Sequence, residues 1–274
     1  MSTDPGKATK LKDEGNTFYN VGNYPAAEGL YSQAIISDSE NPALYTNRAM
    51  ARLRQQQYES AAWDCHACLK LGPDNLKAHF ILSQCLLAQH DPDDALEHAL
   101  QAHRLAVAIQ DRSLAQLTAQ VLRCKRARWE KREQQRRREV PQLESELISL
   151  LERDRDDSLG YCNTDLEKRQ VAEEFEKKTG LLRSTFEAAR SQAEKRRKVP
   201  DWAIDDISFC VMVDPVVTES GNSYERAAIV ESLRHSQIDP HSRKPLRVED
   251  LRPNIALREA CEQFLEENGW AADW

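Results

Sequence analysis

Small residues recur every 34 positions along the first third of the chain, and this period restricts the fold more than any other feature. Gly15, Ala49 and Ser83 form one column of the repeat. Two further columns share the period, Ala27 with Ala61 and Ala95, and Ala34 with Cys68 and Ala102. Small residues at such positions allow two helices to approach closely. We therefore predict three helix–turn–helix repeats, at residues 8–41, 42–75 and 76–109 of a domain spanning 8–112, after a disordered N-terminus at residues 1–7.

A period of 34 residues is that of the tetratricopeptide repeat (TPR), whose stacked units form a superhelix with a concave peptide-binding face. Four polar residues lie on the inner helices where a core would not require them: Lys12, Asn16, Asn47 and Lys77. Lys12 and Asn16 are four residues apart and share one helix face. Two ammonium and two amide groups in one groove would bind carboxylates. The alternative is a solvated surface, which is the usual position of lysine.

The last quarter of the chain, residues 199–274, has a different pattern. Val216 and Val217 follow the rigid Asp214-Pro215 step and predict a strand, and residues 219–222 predict a turn. A helix, a second loop and a final helix capped by Asn254 complete the segment. The fold class is therefore mainly α, with a small α+β domain at the C-terminus.

A domain of this size has a small interior and needs additional stabilisation. The zinc-binding RING domains of similar shape use about eight Cys and His ligands. This segment offers only Cys210, His235, His241 and Cys261, with no C-x-x-C pair, so a single Cys₂His₂ site is the weaker alternative. We predict a polar network instead of metal, with candidates Asp205, Asp206, Asp214, Ser223, Arg226, Asp239, Ser242 and Arg243.

The same segment resembles the U-box, the zinc-free relative of the RING. The resemblance rests on I-S-F at 207–209, D-P-V at 214–216, G-N-S-Y-E-R at 221–226, D-P at 239–240 and R-P-N at 252–254. It implies a docking surface for a ubiquitin-conjugating enzyme, with Ile207, Phe209 and Pro240 forming a shallow apolar groove. Arg243 and Asn254 would add polar contacts. The alternative is that these apolar residues belong to the domain core.

The repeats resemble the carboxylate-clamp class of TPR domains through K-D-E-G-N at 12–16, Y-T-N-R-A at 45–49 and K-A-H-F at 77–80. That resemblance implies binding of the acidic EEVD C-termini of the 70-kDa and 90-kDa heat-shock chaperones. Phe80 and Ile81 would then form an apolar shelf for the preceding tail residues. Two positions depart from the class pattern, since Ile81 replaces an arginine of some clamps and Gln116 replaces an aspartate found on the helix after the repeats.

Residues 113–198 predict a charged antiparallel helical hairpin. Leu143, Leu147, Leu150 and Leu151 form an apolar stripe, and Gly160 is the expected end of the first helix. A thin hairpin cannot bury such stripes alone, so we expect a homodimer. The basic run at 123–139 favours a solvated helix over a nucleic-acid site, because few aromatic residues interleave with it. KRRK at 195–198 is a weak candidate for a nuclear-import signal.

The cysteines and the net charge restrict the compartment and the partners. Seven scattered cysteines argue against a disulfide framework and favour the cytosol or nucleus. The C-x-x-C formed by Cys65 and Cys68 lies at packing positions, so we interpret both as small buried residues rather than a redox or zinc site. The net charge of −7 argues against general nucleic-acid binding, and no apolar run is long enough to span a membrane.

Taken together, these patterns resemble the chaperone-linked TPR/U-box ubiquitin ligases. The resemblance implies that a chaperone tail occupies the TPR groove while the U-box holds a conjugating enzyme charged with ubiquitin, which passes to a misfolded client protein for degradation. We expect no covalent intermediate on this chain, no cofactor and no metal. The competing hypothesis is a non-catalytic co-chaperone adapter. The sequence indicates neither the conjugating enzyme nor the chain linkage.

Overall fold

The computed structural model describes residues 4–193 and 198–274, so most of the KRRK segment lies outside the described residues. Those residues form ten α-helices and one three-stranded sheet, which confirms the mainly α fold class with a small α+β part. The chain divides into two compact units. One comprises Met1–Trp129 with Asp201–Trp274, and the other comprises Glu130–Pro200.

Six helices of the first unit pack as three successive helix–turn–helix pairs. They are α1 (Pro5–Asn20), α2 (Tyr24–Ser37), α3 (Pro42–Arg54), α4 (Tyr58–Leu71), α5 (Leu76–Ala88) and α6 (Pro92–Ile109). Asn23, Asn41 and Asn75 cap three of these helices by accepting a hydrogen bond from a backbone N–H of the first turn. Helix α1 includes residues 5–7, so their prediction as disordered is wrong. Asp4 accepts from the N–H of Lys7 and begins the helix there.

One glycine of the repeat marks a very close helix contact. A Cβ on Gly15 would lie 2.7 Å from Cε1 of Tyr31, whose side chain is buried between α1 and its neighbours. At this position the small residue allows α1 and α2 to pack closely, as the 34-residue period predicts. Cys65 and Cys68 are free and fully buried, and burial raises the pKa of the Cys68 thiol to about 11. Their interpretation as packing residues is confirmed.

Helix α7 (Leu114–Gly160) is long and takes part in both units. Its first turns, up to Trp129, belong to the first unit, although the predicted hairpin began at residue 113. The physical reason is burial: Leu114 and Leu117 share an apolar cluster with Ala102 and Ala106 of α6. This part of α7 therefore completes the repeat domain before the hairpin begins.

The second unit contains the rest of α7 and helix α8 (Asp165–Ala193). Helix α7 ends at Gly160, where the sequence predicts its end. Leu147, Leu151 and Leu182 are among the residues that line a cleft of about 360 Å³ between the two helices. Leu181 is 71% exposed. Among the described residues, no helix has the length and apolarity needed to cross a membrane.

The C-terminal domain is built on a small antiparallel sheet. Its elements are β1 (Pro215–Val217), β2 (Ser223–Glu225), α9 (Arg226–His235), β3 (Arg252–Pro253) and α10 (Ile255–Glu267), with strand order β2-β1-β3. Val216 pairs with Tyr224 across the hairpin, and Gly221 supplies the positive φ of its turn. Val216, Tyr224, Ile229 and Leu233 form the centre of the core. Two loops flank this sheet and carry the candidate site.

Candidate functional site

The first loop of the C-terminal domain, residues 204–211, is fastened by one buried aspartate. Asp205 accepts hydrogen bonds from the backbone N–H (2.6 Å) and the hydroxyl (2.7 Å) of Ser208. Its other carboxylate oxygen accepts from the N–H of Glu225 on β2 at 2.8 Å. The main chain of Asp205 closes the loop, because its N–H donates to the carbonyl of Cys210 and its carbonyl accepts from Phe209.

The second loop, residues 238–245, repeats this arrangement around Asp239. Ser242 donates to it through both backbone N–H and hydroxyl, and the hydroxyl of Tyr224 on β2 donates at 2.8 Å. The N–H of Asp239 donates to Lys244, and its carbonyl accepts from Arg243. An isolated antiparallel β-bridge also closes each loop. It pairs Ile204 with Val211 in the first loop and Ile238 with Pro245 in the second.

The Asp239 carboxylate has the more extensive set of donors. Burial alone would raise its pKa, but hydrogen bonds from Ser220, Ser242 and Tyr224 and from the backbone N–H of His241 lower that pKa well below the ordinary range of aspartate. The carboxylate is therefore charged at neutral pH. This network supports the prediction that polar bonds hold the loops, and no cluster of metal-ligating side chains that could hold an ion occurs in the described part of the chain.

The fourth residue after each aspartate has a positive φ, +57° at Phe209 and +58° at Arg243. Side chains other than glycine rarely adopt this conformation, so the loop closure described above must hold it in place. Phe209 is 71% exposed as a result. The two loops thus present an apolar and a cationic side chain at equivalent positions.

The other predicted contacts of the conjugating enzyme lie in different surroundings. Pro240 is exposed on the second loop, and the neighbouring Ile238 is 46% exposed, although the sequence reasoning did not select it. Ile207 is half-buried and packs against the domain core. For this residue the structure is partly in line with the alternative that the apolar loop residues belong to the core. Asn254 caps α10 through the N–H of Leu257 and donates to Ser223, so its polar atoms already have partners within the domain.

A separate network of ion pairs and hydrogen bonds supports the sheet behind the loops. Asp214 accepts from Arg226 at 2.6 Å and also pairs with Arg258 of α10. Glu225 accepts from the backbone N–H groups of Val213 and Asp214. These contacts attach the segment before β1 to β2, α9 and α10.

The groove of the repeat domain brings two of the four predicted tail-binding residues together. Asn47 of α3 donates to the side-chain oxygen of Asn16 of α1 at 3.3 Å, and the hydroxyl of Tyr31 donates to the same oxygen at 2.8 Å. Lys12 lies one turn before Asn16, partly exposed and 3.7 Å from Asp13. Lys77 is exposed on α5. The lysines remain accessible while the amides are positioned.

The prediction that Ile81 contacts a bound tail is wrong. Ile81 is 2% exposed and belongs to a core cluster with Ala49, Cys65 and Leu82, because it faces α3 and α4 rather than the groove. Phe80 is partly buried against the cluster that contains Ala102 and Leu114. Gln116, the second departure from the class pattern, is exposed on α7.

Sequence reasoning missed a buried ion pair behind the groove. Asp64 of α4 is fully buried and accepts from Arg48 at 2.6 and 2.9 Å, and from Arg52 at 2.9 Å. Both arginines lie on α3, one turn apart, with Arg48 directly after Asn47. The i, i+4 spacing of the arginines was the available signal. The pair fixes the helix that carries Asn47.

Comparisons with known proteins match two separate parts of the chain. The U-box domain model matches residues 199–270, and a tetratricopeptide repeat model matches residues 12–64. The E3 ubiquitin-protein ligase CHIP of Arabidopsis thaliana is 27% identical, over 96% of this chain and 95% of that protein. Stress-induced-phosphoprotein 1 of Caenorhabditis elegans is 33% identical, over 28% of this chain and 24% of that protein.

Solved structures of TPR domains match part of the chain. The first TPR of Spaghetti (RPAP3) bound to the HSP90 peptide SRMEEVD is 26% identical, covers 42% of this chain and 96% of its own, and has a TM-score of 0.39. The second TPR domain of human RPAP3 with an HSP70 peptide is 28% identical, covers 42% and 98%, and has a TM-score of 0.37. The two domain types, in this order, and the similarity over nearly the full length together support a ubiquitin ligase that is similar to CHIP and contains TPR and U-box domains.

Proposed function

We propose that this ligase uses the two loops to recruit a ubiquitin-conjugating enzyme and the repeat groove to bind a chaperone tail. The observation that carries the first part is the exposure of Phe209 on a loop fixed by Asp205. A large apolar side chain held outward by buried hydrogen bonds is typical of an interaction surface. Pro240 and Ile238 extend this surface on the second loop, and Arg243 adds a positive charge.

The ligase then acts by positioning rather than by forming a covalent bond. Holding a conjugating enzyme charged with ubiquitin near a bound client raises the effective concentration of the acceptor lysine. Both loops are attached to β2 by hydrogen bonds. The N–H of Glu225 donates to Asp205, and the hydroxyl of Tyr224 donates to Asp239. The docking surface is therefore rigid, which favours one orientation of the bound enzyme.

The chaperone part of the proposal is supported by the groove. A C-terminal EEVD tail presents a terminal carboxylate and an aspartate side chain, which Lys12 and Lys77 can pair with while Asn16 and Asn47 donate amide hydrogens. Because Ile81 is buried, we expect Phe80 alone to contact the apolar part of the tail.

We also propose that the second unit forms a homodimer. Leu143 is 50% exposed, Leu150 56% and Leu181 71%, which leaves an apolar surface on the hairpin that a second copy would cover. Sedimentation equilibrium of the full chain measures the mass directly. A monomer at micromolar concentration would contradict this part of the proposal.

The activity is tested by mixing the full chain with activating enzyme, a conjugating enzyme, ubiquitin and ATP. We expect ubiquitin chains with the wild type and few with Ile207→Ala, because the change truncates a side chain of the first loop that we propose as a further contact of the enzyme. Asp206→Ala, an exposed change on the same loop, is the matched control. Equal activity of Ile207→Ala and wild type would contradict docking at the first loop, and no activity in any form would leave the adapter hypothesis.

The groove is tested separately with a fluorescent peptide ending in EEVD. Lys12→Ala removes a charge-assisted bond, typically worth about 1.5–3 kcal/mol, so we expect about a tenfold to hundredfold weaker affinity. Lys10→Ala, two residues earlier on α1 and exposed, is the control. Binding that is unchanged in Lys12→Ala would exclude the proposed clamp.

A further inference from the structure

A cleft of about 440 Å³ lies between the first turns of α7 and the C-terminal domain. Ala119 and Leu122 of α7 form one wall, and Ile207, Val211 and Ala228 form part of the other. The lining is mainly apolar, and the volume falls in the range of about 300–1,000 Å³ that small-molecule sites occupy. We name it the Glu225 cleft after the carboxylate that lines it.

Two buried polar atoms of residues lining this cleft have no hydrogen-bond partner. Glu225 is 4% exposed, and its Oε2 accepts hydrogen bonds from Val213 at 2.7 Å and Asp214 at 2.9 Å. The N–H of Ala227 lies close enough to lower the pKa of this carboxyl, but Oε1 has no partner in hydrogen-bond geometry, and neither has Oγ1 of Thr118 on the α7 wall. Buried polar atoms without partners are rare in native proteins, and each needs an explanation. A donor supplied by a ligand would satisfy the carboxylate oxygen.

The charges around the cleft favour a cation. Burial raises the pKa of Glu225 to about 7, while the backbone hydrogen bonds from Asp214 and Val213 oppose that rise and the Asp214 carboxylate adds to it. Glu231 and His235 of α9 also line the cleft, and Cys261 of α10 lies close enough to interact with Glu225. Glu231 is already paired with Arg234 at 2.6 Å and lies 3.6 Å from His235, so Glu225 is the carboxylate that a ligand would meet. An anion would be repelled by it, whereas a cation would stabilise the charged form of Glu225.

We propose that the Glu225 cleft binds a small organic ammonium compound with an apolar body. The ammonium group donates to Oε1 of Glu225, and the hydrocarbon part lies against Leu122, Ile207 and Val211. This supplies the missing donor and covers apolar surface in one step. Ile207 also belongs to the proposed docking surface, so binding is measured directly rather than through ligase activity.

The test is a titration of the full chain with benzylamine, followed by calorimetry and by amide NMR. We expect saturable binding to the wild type, at least tenfold weaker binding to Glu225→Gln, and no binding to Leu122→Trp, whose larger side chain fills the cleft. Glu249→Gln, an exposed change elsewhere in the domain, should bind like the wild type. Benzyl alcohol, which keeps the ring without the charge, should bind more weakly than benzylamine.

The pH dependence gives a second measurement. The ligand needs ionised Glu225, so its affinity should rise about tenfold per pH unit below 7 and become constant above 7. The amide spectrum of Glu225→Gln shows whether the variant is folded. Absence of benzylamine binding, equal affinity of Glu225→Gln and wild type, or affinity that does not change between pH 5.5 and 7.5 would each overturn the proposal. If Glu225→Gln does not fold, Leu122→Trp and the pH series decide.

Discussion

The repeat domain and the U-box are both built by repetition, and in both the offset is 34 residues. In the repeat domain the repeated positions are small and apolar, such as Ala27, Ala61 and Ala95, and all three are fully buried. In the U-box they are Asp205 and Asp239, each with a serine three residues later. The first kind of repetition spreads the stabilising contacts over several core clusters. The second concentrates them on two carboxylates, so single changes should affect the two domains very differently.

The largest effect is expected for Asp239→Ala. The change removes the charged acceptor of the buried Tyr224 hydroxyl and of the half-buried Ser242 hydroxyl, and hydrogen bonds to charged groups contribute about 1.5–3 kcal/mol each. We expect a loss on the order of 4 kcal/mol in the free energy of unfolding of the U-box. Thermal unfolding and amide NMR should show the U-box unfolded, while the EEVD peptide still binds to the repeats.

The comparison would fail if Asp239→Ala unfolded the repeats as well, or if the change were tolerated. The wild type provides a parallel measurement in acid. Since the folded-state pKa of Asp239 is lowered, its contribution is present above the ordinary aspartate pKa near 4 and is lost as the pH falls below it. The U-box should therefore unfold in acid before the repeats do.

A smaller loss is expected for Gly15→Ala in the first repeat. The added Cβ would meet the ring of Tyr31 at 2.7 Å, and overpacking of this kind costs about 1–3 kcal/mol. Tyr31 must move, which also disturbs its bond to Asn16, so EEVD affinity should fall together with the melting temperature. Gly29→Ala, with open space around its Cβ on α2, is the matched control. Equal effects of the two changes would contradict the close contact.

Phe209→Gly should change stability and activity in opposite directions. Glycine accepts a positive φ without strain, so the U-box should gain about 0.5–1 kcal/mol. Ubiquitin-chain formation should fall strongly, because the exposed apolar side chain is gone. Arg243→Gly relieves the same backbone strain on the second loop and should leave more activity. A U-box destabilised by Phe209→Gly would show that the ring belongs to the core.

The smallest effect is expected from a chelator. Incubation of the purified chain with EDTA should leave the U-box melting temperature and the ubiquitylation rate unchanged, because hydrogen bonds to Asp205 and Asp239 hold the loops. A drop in melting temperature that zinc restores would mean that metal contributes to the fold. The same chelator should unfold a zinc-binding RING domain, which serves as the positive control.

Part of the fold and of the site follows from the sequence because the signals are local or periodic. The 34-residue columns predict the helix pairs, and the turn residues at 219–222 predict the hairpin of β1 and β2. Asp205 and Asp239 were among the expected network residues. Their equivalence is not among the predictions, although I-D-x-x-S occurs at 204–208 and again at 238–242. The two matching segments lie in loops, which have no regular spacing of apolar residues that would predict their structure.

Other features depend on packing that one sequence does not specify. Ile81 follows Phe80 on α5, yet Ile81 lies in the core and Phe80 is only partly buried. One position along a helix turns the side chain by about 100°, which is enough to move it from one face to another. The partnership of Arg48, Arg52 and Asp64 requires knowledge of which helices face each other. The same holds for the first turns of α7, whose apolar residues complete the repeat domain.

The two loops have the same backbone geometry and are both attached to β2. Each loop is held by its aspartate, by the serine three residues later, by a hydrogen bond from β2 and by a β-bridge. The exposed side chains of Phe209 and Arg243 take no part in these contacts. Partner choice could then drift or be redesigned by exchanging tip residues, such as Phe209 or Arg243, while Tyr224 and Glu225 stay fixed. Selectivity among carrier enzymes is thereby separated from the ability to fold.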